Sequence, residues 1–115
     1  MGQHSHIAVI GAGLMGHGIA YVLARAGHDV RVFDRSAEAL ARLPDRVAEI
    51  AQTLGHDDSA VRKITGHGDL AAATQGTGFV IEAVVENLDV KHFVVAELEA
   101  ILDPDAIIAT NTSAL

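Results

Sequence analysis

Residues 6–18 read His6-Ile7-Ala8-Val9-Ile10-Gly11-Ala12-Gly13-Leu14-Met15-Gly16-His17-Gly18. The apolar run Ile7 to Ile10 breaks at Gly11-Ala12-Gly13, and helical spacing begins at once through Met15, Ile19, Val22, Leu23 and Ala26. A strand, a tight turn and a helix are expected in that order. The three glycines have different uses in such a turn. Gly11 lets the chain reverse sharply, Gly13 leaves bare backbone that an anion can approach, and Gly16 lets helix and strand touch closely. The start of the helix adds unpaired N–H groups and the positive end of a dipole.

The next segment strengthens this reading. The helix is expected to end at Arg25-Ala26-Gly27, with Gly27 as a left-handed cap, and a second apolar strand follows from Val30 to Phe33. That strand ends in Asp34, 18 positions after Gly16, where an acidic side chain reaches the ribose hydroxyls of a dinucleotide. A phosphate-bearing dinucleotide is the expected guest, with Gly11, Gly13, Leu14, Met15 and Gly16 at its pyrophosphate. Arg35 next to Asp34 could accept the 2′-phosphate of NADP. The Asp34 carboxylate would then sit against that phosphate, and like charges in a cleft are costly, so NAD is favoured.

The chain has 115 residues, enough to bury one ordinary core, so residues 1–115 are expected to form one dinucleotide-binding domain. It is 50% hydrophobic and 20% charged, which fits a globular domain, and no apolar run is long enough to cross a membrane. With a formal net charge of -7 and no basic stripe, nucleic acid and anionic membranes are not expected partners. An anionic ligand must be held locally, by backbone and helix ends. The lack of cysteine excludes disulfides, a thiolate nucleophile and cysteine-based metal sites. The first strand begins a few residues after Met1, which leaves no room for a targeting segment, and a cytoplasmic location is expected.

Ser36 is a natural N-cap for a helix running toward Leu54-Gly55, and Pro44 is expected to break that helix in two. Residues Gly55 to Lys63 read as a polar turn with at most one helical turn, and Ile64-Thr65 as the start of a short third strand. Asp69 should cap a small helix to Thr74, closed by Gly76 to Gly78. Phe79 to Val85 is a nearly continuous apolar strand of the kind covered on both faces. Leu88 to Leu102 has helical spacing stopped by Asp103-Pro104, and Ala106 to Ala109 forms the last strand. Strands alternating with helices give an α/β fold, a doubly wound parallel sheet of the Rossmann type in three layers, with ligands at the carboxyl ends of the strands.

From Val80 to Lys91 the sequence reads Val-Ile-Glu-Ala-Val-Val-Glu-Asn-Leu-Asp-Val-Lys, and Asn111-Thr112-Ser113 follows the last strand. With Gly-Ala-Gly-Leu-Met-Gly at the start, the chain closely resembles the amino-terminal domain of L-3-hydroxyacyl-CoA dehydrogenases over nearly its whole length. The resemblance implies NAD as cofactor and reversible hydride transfer to or from the 3-hydroxy or 3-keto group of an acyl-CoA in fatty-acid metabolism. It puts Asp34 on the adenosine ribose, Glu86 and Lys91 beside the nicotinamide half, and Ser113 near the substrate oxygen. It also assigns Ala83, Val84 and Asn111 to the cofactor. The family's catalytic His and Glu, and the helical carboxy-terminal domain that makes its homodimer, lie beyond Leu115. The chain by itself is therefore expected to bind NAD but turn over poorly or not at all. Two other readings remain open: a related dehydrogenase of non-CoA 3-hydroxy acids, such as sugar acids or carnitine, and a non-catalytic module that senses NAD or NADH.

Among the seven histidines no metal site is expected. His4 and His6 should be solvated, and His17 should lie on the surface or against a phosphate. His28, His56, His67 and His92 should fall in turns or on polar helix faces. Glu82 is expected at a rim or paired with a polar group. By pattern alone Asn111-Thr112-Ser113 is a strand-ending turn, and only the family resemblance gives it a role in the site.

Overall fold

Each short apolar segment carries apolar residues on both of its faces, and that alternation dictates a sheet covered on both sides. The computed structural model describes residues 6–12, 14–83, 96–102 and 106–110, with only the backbone of Leu14, Met15 and Thr110. The chain runs β1 (Ile7–Ile10), α1 (Leu14–Arg25), β2 (Val30–Phe33), α2 (Ala37–Thr53), a 3₁₀ turn (Val61–Lys63), β3 (Ile64–His67), α3 (Leu70–Thr74), β4 (Phe79–Glu82) and β5 (Ile107–Thr110). Residues 96–101 are also helical.

These five strands pair in parallel in the order β3-β2-β1-β4-β5. The chain builds outward from β1 through β2 to β3, then crosses back and sets β4 on the other side of β1. The order reverses between β1 and β4, and in sheets of this kind the ligand crevice lies at the carboxyl ends of the strands beside that reversal.

Val9, Val30 and Val32 face one way and pack with Ala20, Tyr21 and Ala24 of α1 and with Leu43, Val47 and Ala51 of α2. Ala8, Ile10, Phe33 and Val80 face the other way, toward Ala73 of α3 and Leu98. The result is the expected three-layer α/β arrangement, a doubly wound Rossmann sheet between two helical layers. Each Val or Ile buried in this way contributes about 1.5–3 kcal/mol relative to leaving it in water.

The expected break at Pro44 does not occur. The helix α2 runs unbroken through 17 residues with Pro44 inside it. An interior proline costs about 3 kcal/mol through a lost hydrogen bond and a ring clash. Leu43 and Val47, on either side of it, are almost fully buried and Ala51 extends the same face. At about 1.5–3 kcal/mol for each large side chain, that burial outweighs the proline, whose own ring is exposed.

Helix ends follow the sequence more closely. Gly27 adopts φ 107°, its N–H bonds the Ala24 carbonyl at 3.0 Å, and His28 N–H bonds that of Leu23 at 3.1 Å, which satisfies carbonyls left open at the end of α1. Ser36 caps α2 by accepting the Ala39 N–H at 3.1 Å. Asp69 occupies the cap position of α3, but its side chain makes no capping bond. β3 starts at Ile64 as expected and runs to His67, and β5 is displaced by one residue from Ala106–Ala109. Of the strand expected from Phe79 to Val85, the described part is Phe79–Glu82.

Candidate functional site

Three strand ends meet at the glycine turn. Gly11 leaves β1 with φ 113°, a conformation that side chains rarely permit. Its N–H donates to the Phe33 carbonyl at 2.7 Å, carrying the β1–β2 pairing one residue into the turn. On the other side, the Ala83 N–H donates to the Ile10 carbonyl at 2.8 Å and fixes the end of β4 against β1. The turn is then roofed by α1 at very short range. A Cβ placed on Gly16 would lie 1.6 Å from the Gly11 carbonyl oxygen, so only glycine permits this approach. The first turn of α1 itself contains no acidic residue, which leaves the positive end of its dipole available to an anion.

Asp34 joins β2 to this turn. Its Oδ2 accepts the Ala12 N–H at 2.8 Å, and its Oδ1 accepts the Ser36 N–H at 2.8 Å. Charge-assisted bonds of this kind are about twice as strong as neutral ones, so the carboxylate is held in one orientation beside the glycines. Each carboxylate oxygen keeps a second lone pair, which a ligand hydroxyl can use. The Asp34 N–H in turn donates to the His67 carbonyl at 3.3 Å, so the end of β3 supports the same corner. Arg35 is exposed beside it.

The structure thus brings together Gly11, Gly16, Asp34, Arg35 and Ala83 of the expected set. Gly13, Val84, Glu86, Lys91, Asn111 and Ser113 lie outside the described residues, as do the side chains of Leu14 and Met15. Ala12 was not among the expected site residues. It contributes through a backbone N–H, and its place between two glycines opposite an acidic strand end was the only sequence signal for it.

Several polar residues depart from expectation. His6 is buried rather than solvated, with its Nε2 3.0 Å from the Ala73 carbonyl. Burial holds its pKa below the usual histidine value, only partly opposed by that bond. His17 is also buried, at 6% exposure, on the inward face it shares with Ala20, Tyr21 and Ala24. Its Nδ1 has no hydrogen-bond partner among the described residues, and it borders a cleft with Arg46 and Glu49 of α2. His56 is held by Tyr21, whose hydroxyl lies 2.6 Å from its Nδ1 with the rings stacked. His67 ends a strand and lies 2.9 Å from the Thr65 hydroxyl. Glu82, expected at a rim or paired, is fully buried at the end of β4 and has a partner, in line with the second of those alternatives. His4 and His92 lie outside the described residues.

A glycine turn between the first strand and first helix, with a carboxylate from the neighbouring strand end bonded to it, defines a dinucleotide-binding domain of the Rossmann class. A family model described as 3-hydroxyacyl-CoA dehydrogenase, NAD binding domain, matches residues 6–115, and the chain belongs to that family. The human mitochondrial hydroxyacyl-coenzyme A dehydrogenase is 37% identical over 96% of this chain and 39% of its own length. The L-carnitine dehydrogenase/betainyl-CoA thioesterase of Agrobacterium fabrum is 40% identical over 93% of this chain and 23% of its own. The crystal structure of 3-hydroxybutyryl-CoA dehydrogenase from Escherichia coli superposes with a TM-score of 0.84 at 35% identity, covering 98% of this chain and 25% of that one. The chain spans less than half the length of each of these relatives. NAD is the cofactor of this domain family.

Proposed function

We propose that this domain is the cofactor-binding half of an NAD-dependent dehydrogenase that moves hydride between NAD and the 3-hydroxy or 3-keto group of an acyl-CoA in fatty-acid metabolism. The observation that carries the cofactor role is the Asp34 carboxylate, bonded to the Ala12 N–H at 2.8 Å and so fixed beside the glycine turn. A glycine turn held so close to α1 that a Cβ at Gly16 would collide with the Gly11 carbonyl, beside a helix start with no acidic residue in its first turn, fits a diphosphate.

In this reading the backbone of Gly11, Gly13 and Gly16, with Leu14 and Met15, holds the pyrophosphate, and Asp34 holds the adenosine ribose through its remaining lone pairs. Arg35 flanks the ribose, and the fixed carboxylate opposes the extra phosphate of NADP. Ala83 and Val84 line the crevice past β4. Glu86, Lys91 and Asn111 lie along the nicotinamide half, and Ser113 hydrogen-bonds the substrate oxygen. When bound, NAD supplies the hydride acceptor. The protein's part is to orient it and to exclude water.

The 115 residues do not include the His and Glu that the family resemblance places beyond the Asn-Thr-Ser segment. Tested as a 115-residue polypeptide, the domain is proposed to bind NAD without turnover, because the alcohol proton has no base to receive it. Calorimetric titration with NAD, NADP and acetoacetyl-CoA tests this reading. NAD should bind clearly, NADP more weakly and acetoacetyl-CoA little. NADP binding tighter than NAD would contradict the role given to Asp34.

A further inference from the structure

Although the chain carries a net charge of -7, three of its eight Lys and Arg residues converge on one cleft of about 610 Å³. The local fold explains why. Arg31 lies on β2 and points to the α3 side, where it donates to the Ala72 carbonyl at 3.0 Å. Arg62 and Lys63 end the 3₁₀ turn and lead directly into β3, the strand hydrogen-bonded to β2. The helix α3 on this side is only five residues long, and beside it Thr65 is exposed and His67 half-buried. Thr65 pairs in register with Arg31, so both stand on the same open stretch of sheet.

We infer that this cleft binds a phosphate-bearing anion through Arg31, Arg62 and Lys63, at a site separate from the glycine turn. None of the described residues of the glycine turn lines it. Asp34 lies three residues beyond Arg31, roughly 10 Å along the strand. Among the described residues that line the cleft, Asp29 is the one carboxylate. Asp58 pairs with Arg62 at 3.6 Å, but both side chains are largely exposed, so this pair is weak and leaves Arg62 able to swing toward a ligand. Thr65 and Gln75 add neutral hydrogen-bond donors. The Arg31 guanidinium uses one N–H on Ala72 and presents the rest of its fork, a geometry suited to phosphate oxygens. The volume fits a pyrophosphate or a nucleotide better than a single small ion.

The two histidines of the cleft report its field. Burial holds both His6 and His67 below the ordinary imidazole pKa, and the positive charge of Arg31 lowers both further. An anion bound between them would offset that charge and raise both values, and by reciprocity it would bind more tightly as they protonate. Asp29 already acts on His6 in the same sense.

The test is a pyrophosphate titration at constant ionic strength, following the ring resonances of His6 and His67 by NMR, with and without saturating NAD. Pyrophosphate should shift the His67 resonances and raise both pKa values, and NAD should leave this unchanged. The double variant Arg62→Gln/Lys63→Gln alters only exposed side chains, so the fold is retained, and it should weaken binding about tenfold. An absent His67 shift, equal affinity in the double variant, or displacement of the pyrophosphate by NAD would each overturn the inference. The last result would place the anion at the glycine turn. If NAD itself fails to bind, the His67 shift and its weakening in the double variant still decide the matter.

Discussion

The carbonyl oxygen of Gly11 lies where a side chain at Gly16 would have to begin, 1.6 Å from the Cβ position. A methyl group there must drive α1 away from the turn. Gly16→Ala is therefore expected to cost about 1–3 kcal/mol of stability, as overpacking does, and to abolish NAD binding. Gly18, two residues on, has nothing within 4 Å of its Cβ position. Gly18→Ala should instead stabilise the helix by about 0.5–1 kcal/mol. Urea unfolding of the two variants checks the contrast, and equal effects would contradict the close approach.

Asp34 contributes to both fold and binding, because its two oxygens receive the N–H groups of Ala12 and Ser36. Asp34→Ala removes both acceptors and should weaken NAD about 10- to 100-fold, the range for losing a hydrogen bond to a charged group. Asp34→Asn keeps one acceptor oxygen and should fall between. The mutant's affinity for NADP should drop much less, since the carboxylate no longer repels the 2′-phosphate. Calorimetry with both nucleotides reads this, and unchanged NAD affinity in Asp34→Ala would argue against the ribose contact.

Pro44 sits exposed within an unbroken helix. Replacing it by alanine restores a backbone donor and removes the ring clash, partly offset by a more flexible unfolded chain. Pro44→Ala should raise stability by about 1 kcal/mol or more, seen as a higher urea midpoint with an unchanged slope. A lower midpoint would mean that the ring has a packing role.

Much of this architecture was legible in local sequence. The glycine turn, the acidic end of β2, the Gly27 cap and the alternation of strands with helices are each decided within a few residues. What could not be read depends on distant partners. His6 is buried because Ala73, 67 residues away, supplies its hydrogen-bond partner. His56 is ordered by Tyr21, 35 residues away. The helix α2 survives Pro44 because the sheet it covers rewards Leu43 and Val47, which local propensity does not register. The position of Asp34 beside the turn was legible for the same reason as the turn itself. The proposed roles of Glu86, Lys91 and Asn111 at the cofactor and of Ser113 at the substrate oxygen rest on the family resemblance, and these residues lie outside the described residues.

The burial of His6 predicts a dependence of stability on pH. Its folded-state pKa lies below the ordinary 6.5, so the unfolded chain takes up the proton first as pH falls. Stability from this group is complete above 6.5 and is lost as the pH drops toward the folded-state value. His67 is lowered as well and acts in the same direction. Unfolding free energies measured at about pH 7.5 and about pH 5.5 should fall between the two, and His6→Gln should reduce that fall. An identical fall in the variant would show that His6 is not its source.

In the proposed complex, bare backbone around the glycines holds a diphosphate while Asp34 grips the adjoining sugar. The structure of this chain with NAD bound tests it most directly. The pyrophosphate oxygens should lie within hydrogen-bond distance of the N–H groups at the start of α1, and both adenosine ribose hydroxyls on the Asp34 carboxylate. A cofactor lying elsewhere, or an Asp34 turned away from the sugar with the turn closed by side chains, would contradict it.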